Sequence, residues 1–241
     1  MAKPLLERQV SLIEHMSNEA AIFGRGGDGA VDLEGIDHAL LRVEARFSYA
    51  KRMEKIIAML PRTFELLGSA EAPVVRAFVE GCPQTTISRL ENARQFYRFL
   101  SLRWMREAPD PAYICDVAAC EMACAELDAD DQEPDRAKDE VCTIRSGIRR
   151  CRSVILRRCA YDVRPIFEPQ LKATPVKRET PLVIALPPGS NRPQIFEVIP
   201  AVFDLLAALD DWTDPPALFM GQDFARLLAD LTAHGLIEVR P

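Results

Sequence analysis

The chain has 241 residues, 48% of them hydrophobic, which is enough for one large domain or two small ones. Its net charge of −6 argues against a general binder of nucleic acid or anionic membranes, because such binders draw much of their affinity from positive charge. There is no signal-peptide pattern and no uninterrupted run of about 18 apolar residues. We therefore expect a cytoplasmic protein with no nucleic-acid or membrane partner, whose seven cysteines are free thiols.

Helical periodicity dominates the N-terminal part of the chain. A first helix is predicted to end at the glycine-rich residues 24–29, which lack a preceding strand and the Gly-x-x-x-x-Gly-Lys-Ser/Thr pattern and so indicate a flexible turn, not a phosphate loop. A second helix is predicted over residues 35–60, and further helices over 72–80 and 87–105. The apolar face of the first predicted helix comprises Leu5, Leu6, Val10, Ile13 and Met16. The helix predicted over residues 35–60 is expected to bury Ile36, Leu40, Val43, Phe47, Ile56 and Leu60.

A cysteine-rich helix is predicted over residues 114–127, where alanine is abundant. Cys120 and Cys124 would share one face, and Cys115 would lie about 140° around the helix from Cys120, so the three thiols do not converge. Close Cys-x-x-Cys pairs are missing, which favours cysteine as a small buried hydrophobe. The alternative is a cytosolic cysteine-based metal or redox protein that uses Cys115, Cys120, Cys124, Cys142, Cys151 and Cys159.

Acidic and basic residues are segregated in the middle of the chain. Residues 126–140 contain eight acids and two bases and indicate a solvated loop, whereas residues 141–161 contain six arginines and no acid. Helical spacing in the second segment predicts an apolar stripe that includes Cys151 and Cys159. Its opposite face would be cationic and is our candidate for partner binding, although a solvated face paired with nearby acids explains it equally. That face comprises Arg145, Arg149 and Arg152.

The C-terminal part has a different pattern. After a proline-containing connector at 161–180, strands are predicted at 182–186 and 194–199, helices at 201–209 and 221–233 with Gly235 as the last cap, and a short strand at 236–239. The predicted fold class is mainly α, with a helical scaffold domain at 1–170 and a small α+β, winged-helix-like peptide-recognition domain at 171–241. Residues 181–241 contain eight acids and three arginines, which argues against DNA binding.

Either of the two predicted strands could accept an extended peptide if it lies at a sheet edge, where backbone groups are unpaired. The alternative is that both strands are fully paired, with Pro187, Pro188 and Pro193 blocking the edge. The candidate peptide-binding residues are Leu182, Val183, Ile184, Ala185 and Leu186 in the first strand and Ile195, Phe196, Glu197 and Val198 in the second.

Residues 76–127, 179–209 and 224–239 together resemble the HvfC/BufC-like proteins, and within them the MbnC-like group of the methanobactin biosynthesis cassettes. The helix pattern Leu-x-Asp-Leu-Ala-x-x-Glu of that group is represented by Ile114, Asp116, Val117, Ala118 and Glu121. The acidic segment at 126–140 and the glycine-rich turn do not match the family.

The resemblance implies a noncatalytic partner subunit in a heterodimer with an MbnB-like, iron-containing TIM-barrel oxidase. Such a subunit binds the leader of a ribosomally made precursor peptide and presents its cysteines for oxidation to oxazolone and thioamide, which yields a copper-chelating natural product. It further implies that the iron belongs to the partner enzyme. The residues of this chain agree with that division, since they form no nucleophile, base and orienting-group set and no metal-ligand pattern. We therefore expect no catalytic residue and no cofactor in the chain itself.

Overall fold

A computed structural model describes residues 37–84, 86–131, 147–168, 170, 173–213 and 222–240, together with Glu7, Val10, Leu12, Ile22 and Phe23. The chain divides into two compact units, Met1–Asp110 and Pro111–Pro241. The fold is mainly helical, with small antiparallel sheets in the C-terminal part, as predicted. The glycine-rich turn, the acids beyond residue 131 and most of the predicted first helix lie outside the described residues.

The first unit is built from helices. They are α1 (His38–Met59), α2 (Pro61–Leu67), a 3-10 turn (Gly68–Ala70), α3 (Glu71–Gly81) and α4 (Arg89–Trp104), so the three helices predicted over 35–105 are confirmed. Asp37 caps α1 and Ser88 caps α4 through side-chain oxygens that accept backbone N–H groups. Phe96 lies at the centre of the core, with its ring 5.0 Å from the rings of both Phe64 and Phe78.

Helix α1 buries a different face from the one predicted. Leu40, Val43 and Phe47 are each more than half exposed, whereas Ile56 and Leu60 are buried as expected. Ile36 lies outside the described residues. The periodicity of α1 supports two apolar faces, and packing against the other helices selects one of them. The buried side of the helix and its C-cap comprises Leu41, Ala45, Arg52, Met53, Ile56 and Leu60.

A buried arginine connects α1 with α4 and with the loop after α3. The Arg52 guanidinium donates to Asn92 Oδ1 at 3.0 Å, to the Cys82 carbonyl at 2.8 Å and to Gln95 Oε1 at 3.0 Å, and it lies over the ring of Phe78. Burial lowers the pKa of Arg52, because removing the cation from water is unfavourable. These hydrogen bonds compensate for that loss and fix the loop before α4.

The second unit contains α5 (Ile114–Asp131), β1 (Gly147–Arg150), β2 (Val154–Asp162), α6 (Arg164–Phe167), β3 (Val176–Ala185), β4 (Gln194–Glu197), α7 (Pro200–Ala208), α8 (Gln222–Ala233) and β5 (Ile237–Arg240). One antiparallel sheet has the order β2-β3-β4, and β1 pairs with β5 in a second sheet. Among the described residues, no helix is long and apolar enough to cross a membrane.

The arginine-rich helix predicted within 141–161 is wrong. The described part of this segment forms β1, a turn and β2, and the predicted connector at 161–180 contains the end of β2, helix α6 and the start of β3. β-branched residues such as Ile148, Val154 and Ile155 favour strands, and pairing with β3 and β5 overrides the helical spacing. The predicted domain boundary at 170 therefore falls inside the second unit, between two hydrogen-bonded strands.

Strand β3 is covered on both faces. Val183 and Ala185 point into a core shared with α7, α8 and β5. Leu182 and Ile184 point the other way, towards the side that α5 covers through its contacts with β2 and β3. The residues at the end of β3 are fully buried as a result: Leu182, Val183, Ile184 and Ala185.

Helix α8 ends in a Schellman motif, which confirms Gly235 as its cap. Leu236 N–H donates to the Leu231 carbonyl and Gly235 N–H to that of Thr232, both at 2.9 Å. Gly235 has φ +68, and a Cβ at this position would lie 2.8 Å from Cδ of Pro188, in the turn between β3 and β4. The turn and the helix end are therefore packed without room for a side chain.

We predict that Gly235→Ala lowers the free energy of unfolding by about 2–3 kcal/mol, through backbone strain and the contact with Pro188. Gly189→Ala is the matched control: Gly189 has φ +78 but open space around its Cα. The control is expected to lose only about 1 kcal/mol. Urea unfolding measures both, and Pro188→Ala should recover part of the loss in the Gly235→Ala background. Equal losses for the two glycine variants would contradict the steric explanation.

Candidate functional site

The two predicted peptide-binding strands occupy different places in the sheet. Residues 182–185 lie in β3, which pairs with β2 on one side and with β4 on the other, so the first strand is not at an edge. Leu186 follows the end of β3 and is half-buried. Only the second candidate strand has an open side within the described part of the chain, because β4 pairs with β3 alone.

The hydrogen-bond pattern shows which backbone groups of β4 point outward. Val198 N–H donates to the Pro181 carbonyl at 3.1 Å, so the backbone groups of Val198 face β3. Every second residue of a strand points the same way, and Phe196 and Gln194 therefore also face β3. The N–H and C=O groups of Ile195 and Glu197 then point away from the sheet. These are the groups that an added strand would use.

Prolines mark the ends of this edge without interrupting it. Pro193 immediately precedes β4, and Pro187 and Pro188 belong to the turn between β3 and β4. Pro181 lies opposite Val198 and has no N–H to donate, so the ladder between β3 and β4 ends there. The four residues of β4 itself contain no proline.

A ring of four charged side chains surrounds the end of β4. Arg164 contacts Asp162 at 2.7 Å and Glu197 at 2.5 Å, and Arg178 contacts the same two carboxylates at 2.8 Å and 2.5 Å. The ring joins β2, α6, β3 and β4, since each residue comes from a different element. Alternating charges give it no net charge, and its geometry holds the Glu197 side chain against the sheet.

The ring changes the acidity of its members. Hydrogen bonds from Arg164 and Arg178 lower the pKa of Asp162 to about 2, against the opposing effect of burial. The pKa of Glu197 is also lowered, mainly by its hydrogen bond with Arg178. The pKa of each arginine is raised by the same contacts. All four groups are therefore charged at neutral pH, and the ring is intact.

A shallow hollow of about 430 Å³ lies on the neighbouring strands β2 and β3, where a β-bulge falls between Cys159 and Tyr161. Arg158 in this hollow pairs with Asp204 at 2.5 Å and Glu179 at 3.4 Å and stacks on Phe203. Its charge is thus balanced within the chain. The lining residues are Arg158, Cys159, Ala160, Lys177, Arg178 and Glu179.

The two described arginines among those predicted to bind a partner do not share a helix face. Arg149 lies in β1, where it donates to Glu238 at 2.8 Å and stacks on the ring of Trp212, and its side chain is only 15% exposed. Arg152 lies in the turn between β1 and β2, and Arg145 lies outside the described residues. The prediction of a shared helical face is therefore wrong for Arg149 and Arg152, because residues 147–162 form two strands and a turn.

Of the three cysteines of α5, Cys120 is buried and Cys115 and Cys124 are half-buried. Cys120 Sγ lies 4.0 Å from Cys159 Sγ on β2, and both residues are buried. Contact with Cys159 and burial raise the pKa of Cys120, while burial raises the pKa of Cys124 to about 12 and that of Cys115 as well. Protonated, buried thiols are poor nucleophiles and poor metal ligands. Within the described residues, no group of three or more His, Cys, Asp or Glu side chains could hold a metal ion.

Sequence patterns did not predict three members of the charged ring. Asp162, Arg164 and Arg178 fall within 161–180, which its prolines indicated to be a connector. The three consecutive charged residues in VKRET, at the start of β3, were the available signal of an exposed strand end. The side chains that complete the ring are up to 35 residues apart, so local pattern could not join them.

No protein-family model matches the chain, and a search of curated proteins finds no significant match.

We predict that Asp162→Asn reduces the dependence of stability on pH. Because the folded-state pKa of Asp162 is lowered to about 2, its contribution is present above the unfolded pKa of about 4 and is lost as the pH falls towards 2. Urea unfolding at pH 6 and pH 3 measures how much free energy of unfolding is lost on acidification. This loss should be about 1 kcal/mol smaller in the variant than in the wild type, a value reduced for screening by solvent. Asp110→Asn, at an exposed carboxyl, is the control. A pH dependence of stability equal to that of the wild type would contradict a lowered pKa of Asp162 in the folded state.

Proposed function

We propose that this chain is a noncatalytic peptide-binding subunit that accepts an extended leader peptide as a fourth strand on the outer edge of β4. The observation that carries the proposal is the pair of outward-facing backbone positions at Ile195 and Glu197, on a strand with one pairing partner among the described residues. An added strand would exchange hydrogen bonds with both positions, and backbone bonds of this kind supply affinity with little sequence dependence.

Side chains beside the edge offer the means to select a sequence. Phe196 points to the side of the sheet where the core formed with α7 and α8 lies, and it is only partly buried. An added strand would place one of its side chains next to Phe196, on this apolar margin. We expect an apolar peptide residue at that position. The partly buried side chains of the margin are Phe196, Val198, Val202 and Leu205.

The charged ring supports the proposal through rigidity. Glu197 is held by Arg164 and Arg178, so the end of β4 is tied to three other elements before any peptide binds. An edge that is already ordered loses little conformational entropy when it acquires a partner strand. The ring thereby preorganises the backbone groups on which strand addition depends.

The partner enzyme completes the proposed function. By its resemblance to MbnC-like proteins, the chain would form a heterodimer with an iron-containing barrel oxidase and present precursor cysteines for oxidation to oxazolone and thioamide. The iron and the oxygen chemistry would belong to that enzyme. The cytoplasmic location and the winged-helix-like character of the C-terminal domain are part of the same proposal.

A cysteine-based metal or redox protein is the second candidate. The contact between Cys120 and Cys159 favours it, because two thiols from different elements meet there. Their burial and the raised pKa of Cys120 oppose it, since reactive cysteines are usually exposed thiolates. Peptide binding is therefore the function that the geometry supports better.

We predict that Ile195→Pro weakens binding of a methanobactin-type leader peptide by about tenfold or more, since it removes an outward N–H donor. Gln194→Pro is the matched control, because the backbone N–H of Gln194 points towards β3. This variant should lower the stability of the protein and leave its affinity for the peptide unchanged. Isothermal titration calorimetry measures affinity, and circular dichroism checks that each variant is folded. Unchanged affinity in a folded Ile195→Pro protein would refute strand addition at β4.

We predict that the chain purified alone contains no stoichiometric iron or zinc, and that iron appears only after co-expression with an MbnB-like barrel oxidase. Mass spectrometric metal analysis of both preparations makes the comparison. The cysteine-based alternative would instead be established if the chain purified alone contains stoichiometric metal and the Cys120→Ala and Cys159→Ala variants do not.

A further inference from the structure

Helix α1 carries a second apolar stripe on its exposed side. Leu40, Val43 and Phe47 are 57%, 59% and 56% exposed, and Ile57 is 39% exposed. Their spacing follows a heptad repeat in which residues 40, 47 and 54 take the a positions and residues 43, 50 and 57 take the d positions. Alternating a and d positions occupied by apolar residues are typical of a helix that packs along a second helix. We call the residues at these six positions the α1 seam.

The α1 seam is separate from the core of the first unit. The buried residues of α1 lie on the opposite side of the helix, including Leu41, Ala45 and Ile56. Ile22 and Phe23 contact α1 at Arg46 and Tyr49, which are outside the seam. A contiguous row of large apolar side chains exposed on a helix marks an interaction surface. The packing of the described residues of this unit therefore leaves the seam exposed.

We propose that the α1 seam binds the α1 seam of a second copy of the chain, with the two helices antiparallel. In antiparallel pairing each a position packs against a d position of the other helix. Aligned over the whole helix, Leu40 lies opposite Ile57 of the second copy, and Phe47 lies opposite Ala50 of the second copy. The second pair combines a large and a small side chain, which lets the helices approach closely.

Charges beside the seam select this arrangement. Glu44 and Lys51 occupy e positions, and in the antiparallel alignment Glu44 of each copy lies beside Lys51 of the other. The Lys51 ammonium already lies at the margin of the seam, 4.3 Å from the centre of the Phe47 ring. Parallel pairing would instead bring Arg46 beside Lys51, and an antiparallel shift of one heptad would bring the two Glu44 residues together. Opposite charges therefore meet only in the full-length antiparallel alignment.

Glu54 is the polar member of the seam and lies opposite Val43 of the second copy in this alignment. A polar residue at an a position lowers the stability of a helix pair and favours one alignment over others. The seam extends over most of a 22-residue helix, or about 33 Å. We accordingly expect a reversible dimer whose population depends on protein concentration.

Analytical ultracentrifugation of the full chain over a range of concentrations tests the proposal. The wild-type chain should be a concentration-dependent dimer, and Phe47→Asp should be a monomer because it places a charge in the seam. Phe47 is exposed, so this variant is expected to fold, which circular dichroism verifies. Val176→Asp is the control at an exposed apolar residue of the second unit, and it should dimerise as the wild type does.

Charge reversal tests the orientation. Glu44→Lys and Lys51→Glu should each weaken dimerisation by about tenfold, since each creates two like-charge contacts in the symmetric pair. The double variant restores opposite charges and should dimerise with nearly wild-type affinity. A wild-type chain that stays monomeric at its highest soluble concentration would overturn the proposal. Equal weakness in the double variant and the single variants would overturn the antiparallel arrangement.

Discussion

The burial of β3 on both faces is the constraint on which the second unit depends. A strand with Leu182, Val183, Ile184 and Ala185 in succession can be covered only if layers pack on both sides of it. Helix α5 supplies one layer and the helices after β4 supply the other. Because β2 and β4 then occupy the two sides of β3, these two strands form the edges of the sheet, and of the two candidate strands only β4 lies at an edge.

The same constraint explains the separation of polar and apolar features around β4. The second half of β3 is enclosed by the core, whereas its first four residues are exposed, and arginines and carboxylates gather at that exposed end. There, Asp162, Arg164, Arg178 and Glu197 neutralise one another and hold the strand ends together. Pro181 ends the ladder at the same place. An edge that is open along its backbone and fixed at its end is suited to accept a strand with little reorganisation.

The first unit combines a costly buried cation with an exposed apolar helix face. Arg52 is compensated by neutral acceptors and by the ring of Phe78, and in return it holds the loop that leads into α4. On the other side of α1, Leu40, Val43 and Phe47 remain in contact with water. Helix α1 thus has apolar residues on two sides, and the packing of the described residues covers only one of them.

The sequence by itself determined the helices of the first unit, the cysteine-rich helix and the glycine cap at 235, because these depend on spacing and on residues close in the chain. Only the tertiary structure decided that 147–162 is extended, since Ile148, Cys151, Ile155 and Cys159 fit a helical period until β3 and β5 supply hydrogen-bond partners. It also decided that β3 is central and β4 is at the edge, and that α1 buries Leu41 and exposes Leu40. Both outcomes depend on contacts between residues far apart in sequence, which no local pattern encodes.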